Sequence, residues 1–485
     1  MKYLKHCLLI LTAFTTLHSV SAQFIDTTVD RVKTPIQVNM SQIGTLNTRS
    51  TKEIKSSNIT VGCETLDRGF TIWDNYKAYL PPLGVKTIRL QAGWAKIEKS
   101  KGIYDWSWLD KVIDYAVENS INPWLELSYG NPLYKGGGGT SLLNSLMSSK
   151  EGWDAWDRWV KATVEHYKNR VHEWEIWNEP DHPMQNNSPE IIAKLNIRTA
   201  EIIKKIQPNA KIAGLTFASN NDTTYLNRFL KVIASQGKLG LFTWLSYHAY
   251  SFRPEDVYAN NRVMALQRVI KKYSHTLQLR QGESGAPSTY IPGFALDKYY
   301  WTEYAQAKWD MRRLLGDIGR GIGSSVFTII DIYYDWGKNG ILNTKGLIQS
   351  DTSMMAVRPK IAYYAIQNIA SIFDDNIEIN PDFSYSVTQG GSMSVFGFRN
   401  KENHSPLIAL WLDKNVPTNS FKTTIKKITI KNCYFSEPVW VDLMTGKVWK
   451  ISKSQWSRNG NGCTFNIPVY DSPILIAEKS VLNTN

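Results

Sequence analysis

Short apolar runs alternate with longer stretches of helical period along most of this chain, and the alternation repeats eight times. The runs are I-T-V-G-C at 59–63, K-T-I-R-L-Q-A at 86–92, P-W-L-E-L-S at 123–128 and W-E-I-W at 174–177. They continue as K-I-A-G-L-T-F at 211–217, F-T-W-L-S-Y at 242–247, L-Q-L-R-Q-G at 277–282 and S-V-F-T-I-I at 325–330. Between them, W-L-D-K-V-I-D-Y-A-V, A-W-D-R-W-V-K-A-T-V-E-H-Y, I-I-A-K-L-N-I-R-T-A-E-I-I-K-K-I and Y-A-Q-A-K-W-D-M-R-R-L-L place apolar residues on one helical face. Eight such units predict an α/β fold, a closed parallel (β/α)8 TIM barrel ringed by helices. An open doubly wound sheet is the competing arrangement. It carries a Gly-rich phosphate turn after an early strand, whereas the four glycines Gly136–Gly139 lack the G-x-G-x-x-G spacing and read as a flexible loop.

The pattern changes after about residue 373. S-M-S-V-F-G-F, P-L-I-A-L-W-L, F-K-T-T-I-K-K-I-T-I, P-V-W-V-D-L and S-P-I-L-I-A are short runs divided by Q-G-G, M-T-G-K and R-N-G-N-G turns. They predict a C-terminal antiparallel β-sandwich domain over 374–485, with the barrel over 58–373. The N-terminal segment, 23–57, is polar, and its T-P-I-Q-V-N is the candidate for one added sandwich strand.

Residues 1–22 pair Lys2 and Lys5 with an apolar run and a V-S-A close, the composition of a secretory signal peptide cut before Gln23. The run is too short for a membrane anchor, and no later stretch is long and apolar enough. The expectation is an exported protein, periplasmic or extracellular. The formal charge is +13, which removal of the two leader lysines reduces to +11. No basic run accompanies it, so nucleic acid is not an expected partner; an acidic polysaccharide is compatible. Export permits a disulfide between Cys433 and Cys463, leaving Cys63 as a small buried apolar residue. No Cys/His cluster has metal-ligand spacing, so neither metal nor cofactor is expected.

In a β/α barrel the working residues lie at the C-terminal ends of the strands. The fourth run ends in Asn178-Glu179-Pro180 and the seventh in Gln281-Gly282-Glu283-Ser284-Gly285. Two glutamates facing one mouth have a defined use. One protonates a glycosidic oxygen, and the other attacks the anomeric carbon or activates a water. Strict alternation would set Asn178 and Glu179 on opposite faces, so both serve one site only if the backbone turns irregular there. A neighbouring Glu283 and partial burial are expected to raise the pKa of Glu179. Arg89, at the end of the second run, is the first candidate to hold Glu283, and otherwise a partner for Glu175 inside the barrel. His248, Tyr250, Tyr129, Asn131, Trp94 and Trp336 also fall near strand ends and are candidates to line a sugar site; Trp301 divides between packing and stacking.

W-E-I-W-N-E-P and R-Q-G-E-S-G resemble the signatures of clan A glycoside hydrolases, which are retaining (β/α)8 enzymes. G-C-E-T-L-D-R-G, L-G-V-K-T-I-R-L-Q-A-G-W, Y-D-W-S-W-L-D and L-S-Y-G-N-P-L-Y are similar to glycoside hydrolase family 39, which includes β-xylosidases and α-L-iduronidases. The resemblance runs from about residue 61 to 373. It implies an acid/base at Glu179 beside Asn178, a nucleophile at Glu283, and His248 with Tyr250 facing the mouth. The implied substrate is a carbohydrate, with its sugar and linkage open. A barrel that only binds glycans would dispense with one glutamate. A transglycosidase would use the same two.

Overall fold

The computed structural model describes residues 36–485, apart from 143, 186, 219–221, 260–261, 336, 338, 389–390 and the side chain at 459. The leader expected at 1–22, the first part of the N-terminal segment, and Trp336 lie outside the described residues.

The eight runs form eight strands: β1 (Ile59–Gly62), β2 (Thr87–Gln91), β3 (Asn122–Leu127), β4 (Glu173–Ile176), β5 (Lys211–Phe217), β6 (Trp244–His248), β7 (Gln278–Glu283) and β8 (Ser324–Val326). They lie in one parallel sheet in the order β7-β6-β5-β4-β3-β2-β1-β8. The ring closes between β7 and β8, where Ser284 bridges Val326 and the Gln281 N–H donates to the Gly323 carbonyl at 2.9 Å. Gly285 makes the seam possible, because a Cβ there would stand 2.0 Å from the Phe327 carbonyl oxygen. β8 stops at Val326, short of the apolar run that predicted it. Beyond it the chain turns into a hairpin of Ile332–Tyr334 against Ile341–Asn343. The outer helices include Ser107–Glu118, Lys150–Tyr167, Pro189–Ile206 and Glu303–Ile318. Ser149 and Ser188 cap the second and third of these by accepting from backbone N–H groups.

The barrel interior is layered, and the layers differ in chemistry. Near the strand starts, Arg280 lies over the rings of Trp124 and Trp244 and pairs with Glu173 at 2.9 Å. Above this plug sits a buried set of charges around Arg89. At the strand ends the mouth opens. A polar cavity of about 490 Å³ at the opposite end is lined by strand-start residues such as Asn122, Glu173, Lys211 and Gln278. It is separated from the mouth by the Trp124–Trp244–Arg280 layer.

The sandwich pairs a seven-stranded and a four-stranded antiparallel sheet around Ile408, Leu410, Ile428, Ile430, Trp440, Phe465 and Ile467. Ser41–Thr45 adds an edge strand against Lys447–Lys450, a few residues after T-P-I-Q-V-N. Gly462–Val469 is a full strand that follows the R-N-G-N-G turn and lies between Thr424–Lys431 and Trp456–Asn459. Helix Glu303–Ile318 joins barrel to sandwich. Lys308 Nζ donates to the Thr418 carbonyl and to Asp471, and Arg312 pairs with Glu255 while donating to the Asn415 carbonyl. Cys63, Cys433 and Cys463 are all buried and free, and the Cys463 thiol donates to the Cys433 carbonyl at 3.4 Å.

Candidate active site

Two backbone devices bring the glutamates together. At the end of β4 the chain leaves the ladder at Trp177, with φ +64°, and Glu179 follows with φ +44°. Left-handed backbone at two non-glycine residues is uncommon. Here it supplies the irregular turn that Asn178 and Glu179 need if both are to face the mouth. At the end of β7 the register slips, so that Tyr247 opposes Gln281 but His248 opposes Glu283. Gly282 takes up the extra residue, since a Cβ there would meet Ser246 Oγ at 2.2 Å.

Glu179, His248 and Glu283 each offer an oxygen or nitrogen within 4.8 Å of the others. His248 Nδ1 lies 2.7 Å from Glu179 Oε1 and 3.7 Å from Glu283 Oε2. Tyr250 donates its hydroxyl to Glu283 Oε1 at 2.9 Å. The two glutamates keep 13% and 14% of their side chains exposed, while His248 and Arg89 have none. The carboxylates therefore face the cleft, and the cations brace them from behind.

Arg89 is the centre of that bracing. Its guanidinium donates to Glu175 at 3.1 and 2.6 Å, to Glu64 at 3.1 Å, to Glu283 at 3.3 Å, to Asn178 Oδ1 at 2.9 Å, and to Glu126. It is thus both the partner of Glu175 and the support of Glu283, but being fully buried it does not touch substrate. Four carboxylates share one guanidinium. Burial pushes Glu64 up to about 7 and Glu126 up to about 8 against the pull of Arg89, so the cluster sheds negative charge by taking up protons. Replacing Arg89 by methionine is expected to cost about 3–5 kcal/mol, the usual result of stripping buried charges of their partner. The sign with pH follows from the raised carboxyls. They bind protons in the folded state that the unfolded chain has released, so stability falls as pH rises toward 8. Urea denaturation at pH 5 and pH 8 should show the larger loss at pH 8; an equal loss would show that Glu64 and Glu126 do not carry it.

Glu179 differs from expectation. Burial works to raise its pKa, but the hydrogen bond and charge of His248 outweigh burial and set it below the ordinary carboxylate value. His248 mirrors it. Burial disfavours the imidazolium, yet the charges of Glu283 and Glu179 and the hydrogen bond to Glu179 raise it. In the free protein the pair's proton therefore rests on His248, one 2.7 Å hydrogen bond from Glu179. In His248→Gln the burial of Glu179 is opposed only by the smaller effects of the His182 and Arg89 charges, and its carboxyl titration, followed by infrared difference spectra, should move upward. An unmoved titration would show that His248 is not the controlling partner.

The remaining candidates divide. Asn178 Nδ2 donates to the Tyr129 hydroxyl at 3.0 Å, and Gln91 donates to the same oxygen at 3.3 Å, so Tyr129 and Asn178 form one side of the floor. Asn131 instead holds its own loop, donating to the Glu98 carbonyl and accepting from Leu133 N–H. That loop is tied to Gly136–Gly139 by the Asn131 N–H to Gly137 carbonyl and Gly130 N–H to Gly139 carbonyl bonds. Trp94 is fully buried, stacks on Trp159 and Tyr134, and donates to Glu98 at 2.6 Å, so it is core and not a sugar platform. Trp301 is also core, beside Leu296 and Trp309. Sequence reasoning missed Glu64 and Glu126 on Arg89, and Arg68, which donates to Gln91 and lies 5.2 Å from the ring centre of Tyr129. Glu64 and Glu126 carried a signal, as charged positions in or just after strands whose inward faces are closed to water.

A carboxylate pair this close suits displacement at a sugar anomeric carbon. Comparison with known proteins agrees. The profile described as "Glycosyl hydrolases family 39" matches residues 77–281. The match includes Asn178 and Glu179 and ends two residues before Glu283, whose place in the site rests on the geometry. A β-xylosidase of Caldicellulosiruptor saccharolyticus is 23% identical over 400 residues, covering 74% of this chain and 75% of that protein. Among solved structures, a family 39 glycoside hydrolase of Bacteroides cellulosilyticus WH2 superposes with TM-score 0.61 at 16% identity, over 87% of this chain and 81% of that one. A monomeric β-xylosidase of Caulobacter crescentus CB15 gives TM-score 0.56 at 16% identity, over 90% and 97%. Barrel and match together define a glycosidase that hydrolyses O-glycosyl bonds. More particularly, the chain resembles the clan A glycoside hydrolases of family 39.

Proposed function

We propose that this chain is an exported, retaining glycosidase that cleaves a poly- or oligosaccharide through a covalent glycosyl-enzyme. The observation that carries the reading is the separation of Glu179 and Glu283, whose oxygens come within 4.8 Å. Retaining enzymes hold their carboxyls about 5 Å apart, whereas inverting ones leave a wider gap for water. In the first step Glu283 attacks the anomeric carbon as a carboxylate, the glycosidic bond breaks, and Glu179 gives its proton to the leaving oxygen. That proton reaches Glu179 from His248 across the Nδ1–Oε1 contact, so that once the bond has broken Glu179 is ionised and His248 neutral. In the second step Glu179 takes a proton from water, the water oxygen attacks the anomeric carbon, and Glu283 departs. Tyr250 and Arg89 hold Glu283 in line. Asn178 uses one amide hydrogen on Tyr129, and its other, which meets no acceptor among the described residues, serves the sugar 2-hydroxyl.

The similarity to β-xylosidases makes aryl β-xylosides the first substrates to test, within a wider panel of aryl glycosides. Proton NMR of the first-formed product should show the anomeric configuration of the substrate. An inverted first product would overturn the retaining mechanism. The export reading rests on residues 1–22, and the secreted protein should begin at Gln23 by intact mass.

A further inference from the structure

Lys345 lies in the loop after β8, immediately beyond the hairpin strand Ile341–Asn343. It is 2% exposed. Its ammonium stands 5.0 Å from the ring centre of Tyr250 and 6.0 Å from that of Phe294. Tyr250 is the residue that donates to Glu283. Burial lowers the Lys345 pKa to about 8, opposed by the charges of Glu283, Asp297, Asp310 and Glu179. The lysine is thus a cation at neutral pH, within electrostatic reach of both glutamates.

Among the described residues this ammonium has no hydrogen-bond or ion-pair partner and rests against the two ring faces. The other cations around the mouth are engaged. Arg89 is held by four carboxylates, Arg68 by Asp67 and Gln91, and His248 by Glu179. A buried ammonium whose donors are unmet is costly, and cation–π contacts and carboxylates beyond contact distance offset only part of that cost. We propose that Lys345 determines substrate charge: its ammonium pairs with an anionic substituent, carboxylate or sulfate, on the sugar bound against Glu283. A hydroxyl would meet one donor with an ordinary hydrogen bond, whereas a carboxylate or sulfate meets it with a shorter and stronger charge-assisted one. The inference rests on the glycosidase reading and adds to it the class of sugar.

The test compares wild type, Lys345→Met and Lys345→Arg on paired substrates. An aryl β-glucuronide is paired with an aryl β-xyloside, which lacks only the C5 carboxylate, and an aryl 6-sulfo-β-galactoside with the aryl β-galactoside. Wild type should favour a charged member, and which pair shows the preference separates carboxylate from sulfate. In Lys345→Met the charged-to-neutral ratio of kcat/KM should fall by about 10–100-fold, and Lys345→Arg should restore part of it. An unchanged ratio overturns the proposal and assigns the lysine to a hydroxyl common to both members. Calorimetric binding of glucuronic acid against xylose, and of galactose 6-sulfate against galactose, needs no turnover. A preference for the acid that disappears in Lys345→Met sustains the proposal even if every aryl glycoside is left uncut, and then only the hydrolase reading fails. Equal binding of acid and neutral sugars by wild type overturns the assignment of Lys345, whatever the turnover.

Discussion

Replacing Glu283 by glycine should lower kcat on aryl glycosides by on the order of 10⁵-fold, and sodium azide should restore part of the turnover with inverted product. The reasoning starts from the place of the side chain. Glu283 is held by Tyr250 at one oxygen and Arg89 at the other, so its carboxylate is aimed before substrate arrives. Removing it leaves a space of about a carboxylate's size on the attacking side of the anomeric carbon. Azide in that space forms the new bond from the direction Glu283 would use, while Glu179 still protonates the leaving group. The glycosyl azide therefore has the opposite anomeric configuration. A folded Glu283→Gly protein, verified by circular dichroism and thermal unfolding, that azide fails to rescue would remove Glu283 from the nucleophile role. A mechanism-based fluoro-sugar gives independent evidence, because the labelled peptide should contain Glu283. The experiment matters because the family match stops at Gln281.

The barrel was legible because a parallel sheet buried on both faces needs continuous apolar runs, and eight of them recur with helices between. The ends of those runs were legible for a related reason. Residues that halt regular pairing, such as Pro180 and Gly285, mark where strand becomes loop, and a glutamate just before each faces a shared mouth. The early end of β8 was not legible. Thr328, Ile329 and Ile330 continue an apolar run yet leave the ladder, because Ile330 bridges Ile348 in the following loop.

The supporting groups were harder to read. The strand reading sets Glu175 inside the barrel and Arg89 near it but does not say that one guanidinium serves four carboxylates; that depends on register across β1, β2, β3, β4 and β7. Trp94 was misread because a tryptophan just past a strand end suits a sugar platform. Its short helix, Trp94–Ile97, turns the indole back into the core, and Glu98, four residues on, takes its N–H. The direction of the Glu179 pKa was missed for lack of one distance. Burial argues upward, but a histidine at 2.7 Å outweighs it. Lys345 gave no sign at all, since it lies in an irregular loop whose course no periodicity reveals.

Glu179→Ala should separate the two chemical steps. With dinitrophenyl leaving groups, which depart without a proton, glycosylation should slow by less than about tenfold. With phenyl or alkyl leaving groups it should slow by about 10²–10⁴-fold, the usual contribution of a positioned general acid. Deglycosylation loses its base in every case, so good substrates should show a burst of phenol equal to the enzyme present, followed by slow release. His248 then loses one of the groups that raise its pKa and should titrate lower, observable by NMR of the imidazole. Azide again discriminates. In Glu179→Ala it enters beside the intact Glu283, attacks the glycosyl-enzyme from the face that water would use, and gives a glycosyl azide of retained configuration. The same reagent should thus yield opposite anomers from Glu283→Gly and Glu179→Ala. Identical anomers from both variants, or equal losses for good and poor leaving groups in Glu179→Ala, would show that the two glutamates do not divide the work as acid and nucleophile.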